Sequence, residues 1–161
     1  MRVLKGFVVV ASLLAATTLW AGGQRTPAPE DAKVYFVSPA DGAVVKSPVK
    51  VVFGLSGMGV APAGIDQKHT GHHHLLVDVD ELPSLNKPIP ADENHRHFGG
   101  GQTEVELELE PGEHTLQLLL GDKHHIPHRP PVKSEKITIT VVPEAGLDVK
   151  AGVKLKMGGG K

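Results

Sequence analysis

From residue 33 to residue 142 apolar and polar positions alternate with a period of two, in short runs separated by turn residues. That period sends successive side chains to opposite sides of an extended backbone, so each run predicts a strand with one face in a core. Residues 33–37 are the first, closed by Ser38-Pro39-Ala40-Asp41-Gly42, a strong turn signal. Residues 49–55 are the second, with Val49, Val51, Phe53 and Leu55 on one face. A glycine-rich loop over 54–64 precedes a third strand over 72–79. In it His73, Leu75, Val77 and Val79 share the core face, so His72, His74, Leu76 and Asp78 point outward. Residues 81–101 form a long irregular connection with room for a short edge strand. Residues 103–109 give the plainest alternation, with Val105, Leu107 and Leu109 in and Glu104, Glu106 and Glu108 out. Pro111-Gly112 turns this run into residues 113–120, and residues 136–142 close the series with Ile137, Ile139 and Val141 inward. No stretch carries helical periodicity of useful length. Six or seven short strands with turn signals between them predict an all-β fold, an immunoglobulin/fibronectin-like antiparallel β-sandwich, with a small β-barrel as the alternative.

The ends of the chain read differently. Arg2 and Lys5 precede a mostly apolar run over 6–20 and the small residues Ala21-Gly22-Gly23. That order is the signature of a cleaved signal peptide over 1–23, and the run is shorter than the roughly 20 residues of a membrane-spanning helix. The expectation is a periplasmic or secreted protein, with no membrane insertion after cleavage. Residues 24–32 read as a flexible lead-in, 33–142 as the domain, and 143–161, rich in lysine and glycine, as a disordered tail.

Composition then narrows the chemistry. Without the leader, 15 basic residues stand against 18 acidic ones, a balance that gives no reason to expect nucleic acid as a partner. The chain has no cysteine, which excludes disulfides, thiolate metal sites and a thiol nucleophile. It has ten histidines, nine of them in three short stretches: 69–74, 95–97 and 124–128. In an immunoglobulin-type topology every second loop emerges at the same end, so the three stretches are expected to converge at one pole. His114 follows the opposite turn and serves as a control, a packed and hydrogen-bonded structural histidine.

Neutral imidazoles gathered in this way are metal ligands near pH 7. His72 and His74, and likewise His95 and His97, are spaced to share a face. With His125 and His128 next, they form the candidate site, and all-imidazole ligation suits zinc or copper(II). Met58, in Gly57-Met58-Gly59, is a candidate thioether at the same pole, and Asp78, Asp92 and Glu93 are candidate acceptors for the imidazoles. Three bland readings stand beside this one. Loop histidines often simply hydrogen-bond the backbone. Clustered imidazoles repel once protonated and can act as an acid sensor. A metal-free loop rim can dock a protein or polymer partner. Enzymatic motifs are missing: there is no Gly-x-Ser-x-Gly elbow and no His-Glu-x-x-His pair. Gly99-Gly100-Gly101 enters a predicted strand, which is not the setting of a phosphate cradle. The expected protein is therefore a binding protein and not an enzyme.

Four stretches together carry a resemblance: residues 34–42 (VYFVSPADG), 70–76 (TGHHHLL), 94–104 (NHRHFGGGQTE) and 114–122 (HTLQLLLGD). They resemble a bacterial exported family known as domain of unknown function 4399, over roughly residues 34–142. The resemblance implies a single exported β-rich domain and brings no activity with it. The family's histidine blocks align with His72, His73, His74, His95, His97, His125 and His128.

Overall fold

A computed structural model describes residues 25–143. The expected leader, and all of the expected tail beyond Pro143, lie outside the described residues. Nine strands run in chain order: β1 (Lys33–Ser38), β2 (Val44–Lys46), β3 (Val49–Ser56), β4 (Gly59–Val60), β5 (Thr70–Val77), β6 (His95–His97), β7 (Glu104–Leu107), β8 (Gly112–Gly121) and β9 (Ile137–Val142). They make two sheets. The smaller has the order β1-β3-β7, and the larger runs β2-β9-β8-β5-β4 with β6 also paired to β5. The described residues contain no helix, and the long strands pair antiparallel, as alternation predicted. Two short strands depart from the expected all-antiparallel sandwich: β2 runs parallel to β9 and β4 parallel to β5.

The core lies where the inner faces of the two sheets meet. Val49, Val51 and Phe53 of β3 and Leu107 of β7 pack against Leu75 and Val77 of β5, Leu116, Leu118 and Leu120 of β8, and Ile137, Ile139 and Val141 of β9. Each fully buried aliphatic side chain here contributes about 1.5–3 kcal/mol of transfer free energy. These are the residues the period-two reading assigned inward, so the plain alternation of 49–55, 103–109 and 113–120 accounts for the larger part of the core.

The larger sheet is also covered on its other face. Leu76 and Leu119 are buried there with Ile89, and Val79 and Leu82 of the following connection pack against them. This cover changes two expectations. His72 and His74 do lie on the face away from the main core, but both are fully buried and not solvent-facing. Val79 joins the outer cluster and not the core, because Asp78 takes a positive φ of 55° and breaks the alternation of the strand before it. The segment before β1 differs too. Ala28 N–H donates to Arg129 O and Arg129 N–H to Thr26 O, so residues 26–28 are clasped to the segment after β8 and do not hang free.

Candidate metal centre

Three neighbouring elements and one loop build the centre. His72 and His74 are alternate residues of β5, a strand paired on one side to β8 and on the other to β6. In register, His72 stands opposite Gly121 of β8, and His74 stands between Leu119 of β8 and His97 of β6. Their rings rise side by side on the outer face, with centroids 4.9 Å apart. His97 brings the third ring, 4.9 Å from that of His74 and 5.0 Å from that of His72. His125 closes the group from the loop after β8, its ring 4.7 Å from His97 and 5.0 Å from His72.

The His125 loop is shaped by Asp122. One carboxylate oxygen of Asp122 accepts the backbone N–H groups of His124 (2.8 Å) and Ile126 (3.0 Å), and the other accepts the Thr26 hydroxyl at 2.7 Å. His125 N–H donates to Asp122 O at 2.8 Å, which draws the chain into a tight turn. Inside it His125 takes a left-handed φ of 64°, a conformation costing a non-glycine residue about 1–2 kcal/mol. Burial works against ionisation of Asp122, but the Thr26 hydroxyl and the two N–H donors outweigh it and hold the carboxyl below the ordinary aspartate value.

Within the group the ring nitrogens face one another. His74 Nε2 lies 3.1 Å from His72 Nε2, which lies 3.1 Å from His125 Nδ1. One ligating atom from each of His72, His74, His97 and His125 falls within a sphere of mutual distances no greater than 4.8 Å, with no carboxylate in the set. Imidazole nitrogens bound to zinc at about 2.0–2.1 Å in a tetrahedron stand about 3.3–3.4 Å apart. The 3.1 Å contacts come near that edge, and a pair at the 4.8 Å limit has to close by about 1.4 Å to complete it.

Two glycines make the room. A Cβ on Gly121 would lie 2.9 Å from His74 Nε2, and one on Gly99 would lie 2.4 Å from His97 Cε1 and 2.6 Å from its Nε2. Neither glycine has a positive φ, so neither is demanded by the backbone. What both supply is space for a ring.

The electrostatics favour neutral imidazole at His72, His74 and His97. Burial, then the neighbouring His125 and His97 rings, bring His72 down to about 4 from the ordinary 6.5, although Asp122 pulls the other way. Burial and the same crowd of imidazoles bring His74 down to about 2. His97 is also lowered, by burial and then by His125. Near pH 7 these three rings therefore present lone pairs with few protons to displace.

Of the six histidines expected in the site, four are brought together and two are not. His95 shares the outer face with His97, but stands opposite Leu76, one pair (about 6.7 Å) further along the strand. Its Nδ1 is held 2.9 Å from Asp92 Oδ1 instead. His128 lies on the core side, where its Cε1 would meet a Cβ on Gly71, and its ring nitrogens face Leu120 O (3.4 Å) and Thr70 O (3.2 Å). Met58 packs against the main core, and Asp78 bonds to His114, at the far end of the sheet, so neither serves the centre. His73, in phase with the core as expected, sits against Phe53 with ring centroids 5.2 Å apart. The sequence reading missed Gly99, Gly121 and Asp122, whose roles depend on contacts between segments. Asp122 does carry a local signal, an Asp two residues before an irregular His-His pair.

No helix among the described residues is long and apolar enough to cross a membrane. Neither the curated proteins nor the solved structures contain a match to this chain. A family model does match, over residues 51–142, from the second core strand through β9 and including all four clustered histidines. The chain belongs to the family described as domain of unknown function (DUF4399).

Proposed function

We propose that this chain is an exported, periplasmic or secreted protein that binds one transition-metal ion, copper or zinc, through His72, His74, His97 and His125. The convergence of four imidazoles from β5, β6 and the loop after β8, with ligating atoms no more than 4.8 Å apart, carries the reading. Hydrogen bonding alone accounts poorly for that convergence. His72 Nε2 lies 3.1 Å from both His74 Nε2 and His125 Nδ1, and one neutral ring nitrogen, carrying either a proton or a single lone pair, satisfies only one of them. An ion accepting the converging lone pairs resolves that conflict. All-nitrogen ligation selects zinc or copper(II) over magnesium or calcium, which take oxygen. Four protein donors fill a tetrahedral shell, and no carboxylate belongs to the set, so the role is binding and not metal-assisted hydrolysis.

The test is calorimetric titration of the purified mature protein with copper(II) and with zinc, beside the variant His72→Leu/His74→Leu. The expected result is one ion per chain for the wild type and loss of that site in the variant. Equal uptake by both would mark the binding as adventitious. No uptake by the wild type would leave the loop rim as a docking surface for a protein or polymer.

A further inference from the structure

The four ligands are not equivalent. His72 and His74 are fully buried in the middle of the larger sheet, whereas His97 is exposed and belongs to a three-residue strand paired to β5 alone. On its outer side His97 lines a groove of about 530 Å3 that it shares with Asp92, His95, Arg96, Glu106 and Glu108. Three carboxylates against one guanidinium make that groove the side from which a cation approaches most favourably. The groove has the volume for a chelating side chain or small chelator beside His97, and His72, His74 and His125 do not line it.

From this asymmetry we infer that His97 is the exchangeable ligand of the centre, and that the ion is received from, and passed to, an incoming nitrogen or sulfur donor in the groove between β6 and β7. The inference rests on the metal-binding reading above and deepens it from storage to transfer. In the exchange step the bond from the ion to His97 breaks as the bond from the incoming donor forms. The freed imidazole leaves with its lone pair, and the ion keeps its oxidation state. His72, His74 and His125 hold the ion meanwhile, the three-imidazole set of an open zinc site.

A second observation points the same way. Ligating imidazoles usually donate their other N–H to a carbonyl or carboxylate, and losing such a partner weakens metal affinity about 10–100-fold. The Nδ1 atoms of His72 and His74 have no such acceptor among the described residues. A site built without that support holds its ion less tightly, as a carrier must.

Stopped-flow transfer of zinc from the loaded protein to the chromogenic chelator 4-(2-pyridylazo)resorcinol tests this. For the wild type the transfer rate should rise in proportion to chelator concentration. His97→Ala should still bind one zinc, about tenfold or more weaker, and release it about tenfold or more faster. Gly99→Ala, which pushes the His97 ring aside without removing it, should fall between the two. A wild-type rate independent of chelator concentration, or a His97→Ala rate equal to the wild-type rate, overturns the inference while leaving the metal centre standing. Failure of the wild type to take up zinc or copper(II) overturns the metal-binding reading itself.

Discussion

The larger sheet carries imidazoles at both ends and treats them in opposite ways. At one end His114 Nδ1 meets Asp78 Oδ2 at 2.7 Å and its Nε2 meets Glu110 O at 2.9 Å. Both ring nitrogens have acceptors. Partial burial works against the charged form, but the carboxylate and carbonyl outweigh it, and the group is raised above its ordinary value. About 23 Å away along β8, the ring nitrogens of His72, His74 and His125 point at each other, and burial pushes His72 and His74 far down. The same residue type is thus a proton holder where oxygen surrounds it and a lone-pair donor where nitrogen does. His114 is explained completely by the fold. The cluster has the geometry to hold a metal ion.

Breaking the cluster gives the largest expected effect. In His72→Leu/His74→Leu, metal affinity should drop more than about 100-fold, since even an outer partner of a ligand is worth about 10–100-fold. The metal-free variant should unfold at the same denaturant concentration as the wild type or higher, because two incompletely bonded polar groups give way to apolar ones. A marked loss of metal-free stability would mean that the rings serve packing alone. Gly121→Ala comes next: its Cβ displaces His74, and affinity measured by calorimetry should fall about tenfold.

At the other end His114→Ala should cost about 1–2 kcal/mol in urea unfolding and leave metal affinity unchanged. The two ends also differ in sign with pH. His72 and His74 bind protons more readily unfolded, so metal-free stability should fall as pH drops from 6.5 towards 4, and bound metal should be released over the same range. His114 is raised, so its contribution is fully present below 6.5 and is lost as pH climbs through its folded value. Urea titrations at several pH values, with and without His114, separate these slopes. The smallest effect is expected of His95→Ala, which should change metal affinity by no more than about twofold, as for a surface site outside the cluster.

Much of this was legible from period two alone. It gave the core faces of β3, β7, β8 and β9, and it put His73 on one side of β5 with His72 and His74 on the other. It could not say that the second side is covered, because cover comes from the connection carrying Leu82 and Ile89, whose contacts have no local signal. Nor could it separate His97 from His95. Both share a face, and only the pairing register, His97 opposite His74 and His95 opposite Leu76, decides which ring joins the group. In the last stretch no period applies. The turn around Asp122 and the left-handed residue within it send His125 outward and leave His128 beneath the sheet.

The clasp before β1 bears on how this protein should be handled. Arg25 bonds to the carbonyls of Pro127 and His128, and Thr26 to the carboxylate that shapes the His125 turn. A shortened chain begun at Lys33, where the strands start, keeps all nine strands and discards that brace. Such a version should fold and, on the metal-binding reading, take up copper(II) or zinc more weakly than the longer chain, because Asp122 loses the Thr26 hydroxyl.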